Sequence, residues 1–215
     1  MNNLAAKLRT GTQQSHTAAE HTGFMRNFLK GSVTKEAFGR LLGNLYFVYS
    51  QLEAELDCHK DHPLVSRVYF PELNRKEHLE ADLEFYYGSN WQGQVNPSKA
   101  AQAYISRIRE VSATEPILLL AHAYTRYMGD LSGGQMLKKI AQAALGLQEH
   151  QGVNFYEFEQ IGDLTEFKDR YRQALNSLLI DRDLEDKIVA EANTSFSLNI
   201  HLLRELEQNF APAIA

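Results

Sequence analysis

Helical spacing runs through this chain almost without interruption, and it leaves room for one class of fold. Between residues 34 and 58, Phe38, Leu41, Leu42, Leu45, Tyr46, Tyr49, Leu52 and Leu56 recur at three- and four-residue steps. That spacing places them on one face of an α-helix. Thr34 opens the stretch as an N-cap, with an early acid at Glu36. The same periodicity predicts helices over 4–23, 73–86, 97–111, 115–147, 164–178 and 183–210. Strand-like alternation is nearly absent. No period repeats, and no Pro/Gly/Ser-rich linker divides the chain. The expectation is a single all-α domain over residues 1–215, of about eight helices, with the last few residues a flexible tail. Its connectivity is not that of an up-down four-helix bundle.

Composition narrows the function. The net charge of −5, from 22 basic and 27 acidic residues, argues against a nucleic-acid binder, which needs a basic excess. A single cysteine, Cys58, excludes an internal disulfide and a Cys-rich zinc site. Its default reading is a buried structural thiol in a reducing, cytoplasmic setting. No apolar run approaches the length of a membrane span, and the N-terminus has no apolar signal core.

One stretch breaks the helical pattern from within. MGDLSGGQML, residues 128–137, sits in the most apolar helix and carries Gly129, Gly133 and Gly134. An interior glycine costs a helix roughly 0.5–1 kcal/mol relative to alanine. Gly129 and Gly133 are four apart and share a face, which leaves a strip without side chains. Such a strip permits a close helix crossing, a kink, or the approach of backbone to a flat ligand. Gly134 adds freedom at the same turn. Tyr124, Arg126, Tyr127 and Asp130 crowd polar groups into seven residues. Asp130 either faces solvent or joins a hydrogen-bonded network.

Eight histidines form no HExxH, no HxH and no His/Cys cluster. A lone histidine can still hold a metal that a porphyrin carries. His16, with Glu20 four residues on, has the spacing for a ligand whose second ring nitrogen is held by a carboxylate; an exposed pair has the same spacing. Lys168 and Arg172, also four apart, and Arg9, two turns before His16, suit an anionic group. Glu166 and Asp169 are their alternative partners. LSGGQ matches a fragment of the ATP-cassette signature, but no Walker A accompanies it.

Taken together, these residues resemble one family. HAYTRYMGDLSGGQMLKKIAQAAL is similar to the distal helix of the heme oxygenases, and QQSHTAAEHTGFMRNFLKG to their proximal helix and following turn. LYFVYSQLEAEL, VYFPELNRKEHLEADLEFYYGSNW, EFKDRYRQALNSL and EANTSFSLNIHL follow in the family's order, so the resemblance extends from about Leu4 to Leu206. YFPELNR looks most like the soluble cyanobacterial and algal enzymes. The resemblance implies an all-α fold with heme between a proximal helix and a kinked distal helix. It implies cleavage of heme, with O₂ and electrons, to biliverdin (IXα), CO and ferrous iron, in the context of phycobilin biosynthesis. His16 would be the iron ligand, oriented by Glu20. Gly129 and Gly133 would bring backbone close to heme. Asp130 would hold a water that relays protons to the iron-bound hydroperoxide, with Tyr49 and Arg126 in support. Arg9, Tyr124, Lys168 and Arg172 would meet the propionates, and Phe196 would complete the heme site. Gln13 departs from the pattern, standing where many members carry a lysine. The resemblance further implies a monomer served by ferredoxin or a similar donor, in the cytoplasm or, for an algal chain, the plastid stroma. A non-enzymatic heme binder and a purely helical scaffold are the competing readings.

Overall fold

In the computed structural model, which describes residues 3–148 and 150–210, the helices start where their caps stand. The Thr34 side chain accepts from the Ala37 amide and opens α4 (Lys35–Cys58). Ser98 does the same for α6 (Lys99–Thr114), accepting from Ala101. Asp163 caps α9 (Leu164–Asn176) through the Thr165 and Glu166 amides. The remaining helices are α1 (Leu4–Gly11), α2 (Gln13–Glu20), α3 (Gly23–Leu29), α5 (Lys76–Tyr87), α7 (Leu119–Asp130), α8 (Gly133–Leu145) and α10 (Arg182–Phe210). That is ten α-helices and no strand among the described residues, two more than periodicity suggests.

The difference lies in two long stretches that the tertiary structure cuts. The first, read as one helix over 4–23, breaks at Thr12, whose buried hydroxyl donates to the Leu8 carbonyl. It ends by Thr22, which turns extended and caps α3, a helix outside the periodic stretches read from the sequence. The second, read as 115–147, starts with a 3-10 turn at Pro116–Leu118 and breaks between Asp130 and Gly133. It ends at Gly146, whose φ of 62° is left-handed, as suits a C-terminal glycine. The helix expected from Leu73 begins three residues later, because Pro71–Leu73 forms a 3-10 turn first.

Helix α10 runs through the middle of the assembly, against α1, α2, α3, α4, α6 and α7. Helix α4 packs against α5, α6 and α7 and buries Phe38, Leu42, Val48, Tyr49 and Leu52 completely. Each such side chain contributes about 1.5–3 kcal/mol by leaving water. Cys58 is exposed, contrary to the buried thiol expected, because it falls on the polar face of the last turn of α4.

Two buried acids and a buried arginine tie an aromatic strap, residues 153–159, to this frame. Asp82 on α5 accepts from the Asn154 and Phe155 amides and from the Asn154 side chain, each at 2.8 Å. Burial raises its pKa to about 6 despite those donors. Arg75 is 2% exposed, donates to the Glu157, Phe155 and Leu73 carbonyls, and stacks 3.9 Å from the Phe158 ring centre. Glu53 receives the Arg75 and Lys76 amides at the start of α5, and burial pushes its pKa up to about 7. No described helix is long and apolar enough to cross a membrane. The tail expected over the last few residues lies outside the described residues.

Candidate functional site

The break between α7 and α8 opens onto a cleft that also takes in α2, α3, α4, α10 and the strap. It encloses about 1010 Å³ of empty space, part of it open to solvent. Met25, Leu29, Leu41, Leu45, Leu137 and Leu203 make much of its wall apolar. His16, Glu20, Arg126, Gly129, Asp130, Gly133 and Phe196 also line it, although 180 residues separate His16 from Phe196 in the chain.

Helix α2 presents His16 with its side chain 53% exposed. The ring meets Phe196 edge-on, at a centroid separation of 5.9 Å. Its Nδ1 lies 3.7 Å from the Glu20 carboxylate, within ion-pair range but longer than a hydrogen bond. Nε2 is therefore the nitrogen left for a ligand. Across the α7–α8 break, a Cβ added at Gly129 or Gly133 would meet no protein atom within 4 Å. A close helix crossing is thus not what these glycines serve; their bare faces look into the cleft. Gly134 behaves differently. It is buried, and a Cβ there would press to 3.2 Å from the Tyr156 ring, so it serves packing against the strap.

Asp130 is 5% exposed, which rules out the solvent-facing alternative. The Tyr49 hydroxyl donates to its carboxylate, and Arg126 Nε donates in turn to the Tyr49 oxygen at 3.1 Å. Arg126 also donates to Asn199 at 2.6 Å. Burial raises the Asp130 pKa to about 6, against the opposing pull of Arg126, the Tyr49 hydroxyl and Arg75. The result is a carboxyl that exchanges its proton near neutral pH beside an apolar slot.

The four residues matched to an anionic contact, Arg9, Tyr124, Lys168 and Arg172, do not line the cleft itself. Three of them are near one another: burial raises the Tyr124 pKa while the charges of Arg172 and Arg9 oppose it. Arg172 pairs with Asp169 at 2.6 Å, the alternative partner read from the sequence. Sequence reasoning missed Tyr104, Thr125, Ser195 and Asn199. The Tyr104 and Ser195 oxygens are 2.5 Å apart and those of Thr125 and Ser195 2.6 Å apart, and all three residues line the cleft. They come from three helices, α6, α7 and α10, and no local spacing links them.

An all-α fold with one exposed imidazole, a bare strip of backbone and a buried carboxyl around an apolar slot defines a protein built to hold a flat ligand. A family model described as heme oxygenase matches residues 2–205. Heme oxygenase 1 of Synechocystis sp. is 56% identical over 212 residues, covering 99% of this chain and 88% of that one. Heme oxygenase 1 of Nostoc sp. is 53% identical over 212 residues, covering 99% and 89%. The structure superposes on that of heme oxygenase-1 from the cyanobacterium Synechocystis sp. in complex with heme with a TM-score of 0.94, at 56% identity, covering 96% of this chain and 93% of that one. For heme oxygenase-2 from Synechocystis sp. in complex with heme and NO the TM-score is 0.96, at 51% identity, with 99% and 88% covered. The chain belongs to the heme oxygenase family.

The bare strip makes a separable prediction. Gly129→Ala replaces a glycine in the last turn of α7, where the added Cβ meets no protein atom within 4 Å. The apoprotein is expected to gain no more than about 0.5 kcal/mol in urea unfolding, while hemin affinity falls. A variant that binds hemin as the parent does would remove the strip from the site.

Proposed function

We propose that this chain is a heme-degrading monooxygenase that converts heme, with O₂ and external electrons, to biliverdin IXα, CO and ferrous iron. The observation that carries the reading is the bare backbone at Gly129 and Gly133 in the same cleft as the exposed His16 ring. A Cβ-free wall is costly to a helix and finds its use when a flat ring lies against it. The residues present fit heme: one imidazole with a carboxylate near its second nitrogen, an apolar slot, and a proton-holding carboxyl lining the same cleft.

Heme is the substrate and also supplies the iron at which dioxygen is reduced. His16 would hold that iron through Nε2, with Glu20 and Phe196 setting the ring's orientation. Neutral imidazole is a weaker electron donor than a thiolate, so it does not promote early O–O cleavage. Gly129 and Gly133 would let the backbone of the α7–α8 corner lie against the ligand. Asp130 holds a water and passes protons through it, and its pKa of about 6 lets it reload near neutral pH. Tyr49 fixes the carboxylate, and Arg126 fixes Tyr49. Arg9, Tyr124, Lys168 and Arg172 would meet the propionates, with Gln13 giving one basic contact fewer than many members have. That anchoring selects which meso carbon lies under the distal side.

In this reading the protein acts as a monomeric single domain in the cytoplasm, with ferredoxin or a similar donor as the electron source. Hemin is expected to bind one to one. With a reducing system and O₂, the Soret band should fall as a biliverdin band rises. Stable binding without biliverdin would establish instead a non-enzymatic heme binder.

A further inference from the structure

The LSGGQ motif ends in a residue that the proposed chemistry does not use. Gln135 stands in the first turn of α8, and its carboxamide nitrogen makes two hydrogen bonds. One goes back to the Asp130 carbonyl at 3.2 Å, the other out to the Tyr156 carbonyl at 2.9 Å. Both partners are acceptors, so only the N–H₂ end of the amide can face them. The orientation of the side chain is thereby decided by chemistry.

Leu131 is buried at the break it spans, but side-chain hydrogen bonds to the backbone there are few. Ser132, at the cap position of α8, makes no side-chain capping bond. Its amide bonds to the Gly129 carbonyl at 3.2 Å, and the Leu131 amide to Tyr127 at 2.9 Å. The carbonyl of Asp130 is one of the four that a helix end leaves without an intrahelical partner. The far anchor is firm. Asp82 grips the Asn154 and Phe155 amides, the Phe155 ring packs edge-on against Tyr49 at 5.3 Å, and Tyr156 lies against Gly134.

We propose that Gln135 is the positioning residue of the site: it locks the corner between α7 and α8 to the aromatic strap and so sets where the Asp130 carboxylate meets Tyr49. It touches neither the cleft nor the carboxylate and acts through the backbone of Asp130. This inference rests on the heme-cleaving reading for its consequence, but its structural content is testable without heme.

The test compares the parent with Gln135→Met, which keeps length and volume and removes both donors. In the apoprotein, ¹³C NMR of labelled Asp carboxyls follows the Asp130 titration, assigned by its loss in Asp130→Asn. The Tyr49 hydroxyl proton is sought downfield and assigned with Tyr49→Phe. In Gln135→Met the Asp130 midpoint moves away from about 6 and the hydroxyl resonance shifts or vanishes. With heme, kcat for biliverdin drops about tenfold with KM little changed, the mark of a misplaced group in a formed site. Lower thermal stability with both NMR signals at parental positions would overturn the proposal and leave Gln135 a helix-end cap. Should Gln135→Met fail to fold, Gln135→Asn, which keeps the donors one carbon short, is scored by the same two signals. A parent that binds no hemin would sink the functional reading alone, since the NMR arms stand apart from it.

Discussion

Asp130→Asn protein is expected to bind hemin with the parent's stoichiometry and to consume it with little biliverdin formed. The rate of biliverdin formation falls about 10²–10⁴-fold, the usual worth of a positioned acid–base group. The amide keeps the shape and can still accept from Tyr49, but it can neither release nor recover a proton. The same change should make the apoprotein more stable at high pH. Burial raises the Asp130 pKa from 3.8 to about 6, so the folded protein holds this proton more tightly than the unfolded chain. A group shifted in that direction favours the fold fully at low pH. That advantage is lost as pH rises from about 4 through about 6. At pH 8 the ionised carboxylate costs the fold on the order of 1–3 kcal/mol, and asparagine removes that cost. Urea unfolding at pH 4 and pH 8 checks it: the gain should appear at pH 8 and be nearly absent at pH 4. Parental biliverdin yield would dismiss the proton relay; equal stability effects at both pH values would dismiss the raised pKa.

The second large effect is at His16. With its side chain half exposed and in an edge contact with Phe196, His16→Ala should change unfolding free energy by no more than about 0.5 kcal/mol. Its effect on the ligand should be far larger. The ferric heme spectrum loses its axial-imidazole signature, hemin binds at least about tenfold more weakly, and biliverdin formation stops. Added imidazole should restore the signature, because the cleft remains and only the ligand is gone. An unchanged ferric spectrum in the variant would exclude His16 as the iron's partner. Together the two variants separate the walls of the cleft: one loses the ligand's anchor, the other the proton supply beside a ligand that still binds.

Part of this site was legible in the chain because its members are neighbours. Gly129, Asp130 and Gly133 fall within five residues, and His16 and Glu20 within one helical turn, so periodicity alone groups them. The choice between uses was not legible. Two glycines on one face suit a close crossing as well as a ligand wall. What decides is that a Cβ at either position meets nothing, a fact about neighbours distant in sequence. Asp130 poses the same problem: on an isolated helix it would be solvated, and it is buried because α4 brings Tyr49 to it. Arg75 carries no sequence mark at all, yet it is among the largest fully buried side chains, held by backbone carbonyls of the strap.

The chain's own order of residues settled the helical class, the cap at Thr34, and the local sets at His16 and around Asp130, because each depends on contacts within a few residues. The tertiary structure decided where long periodic stretches break, why Cys58 is exposed, and which polar groups converge. Thr12, Thr22 and Ser132 stand at breaks in or at the end of stretches whose helical spacing does not mark them. Asn199 reaches Arg126, and Gln135 reaches Tyr156, because α10 and the strap fold back over α7 and α8. Helical propensity is a property of neighbours along the chain; a cleft belongs to surfaces that meet only after the chain has folded.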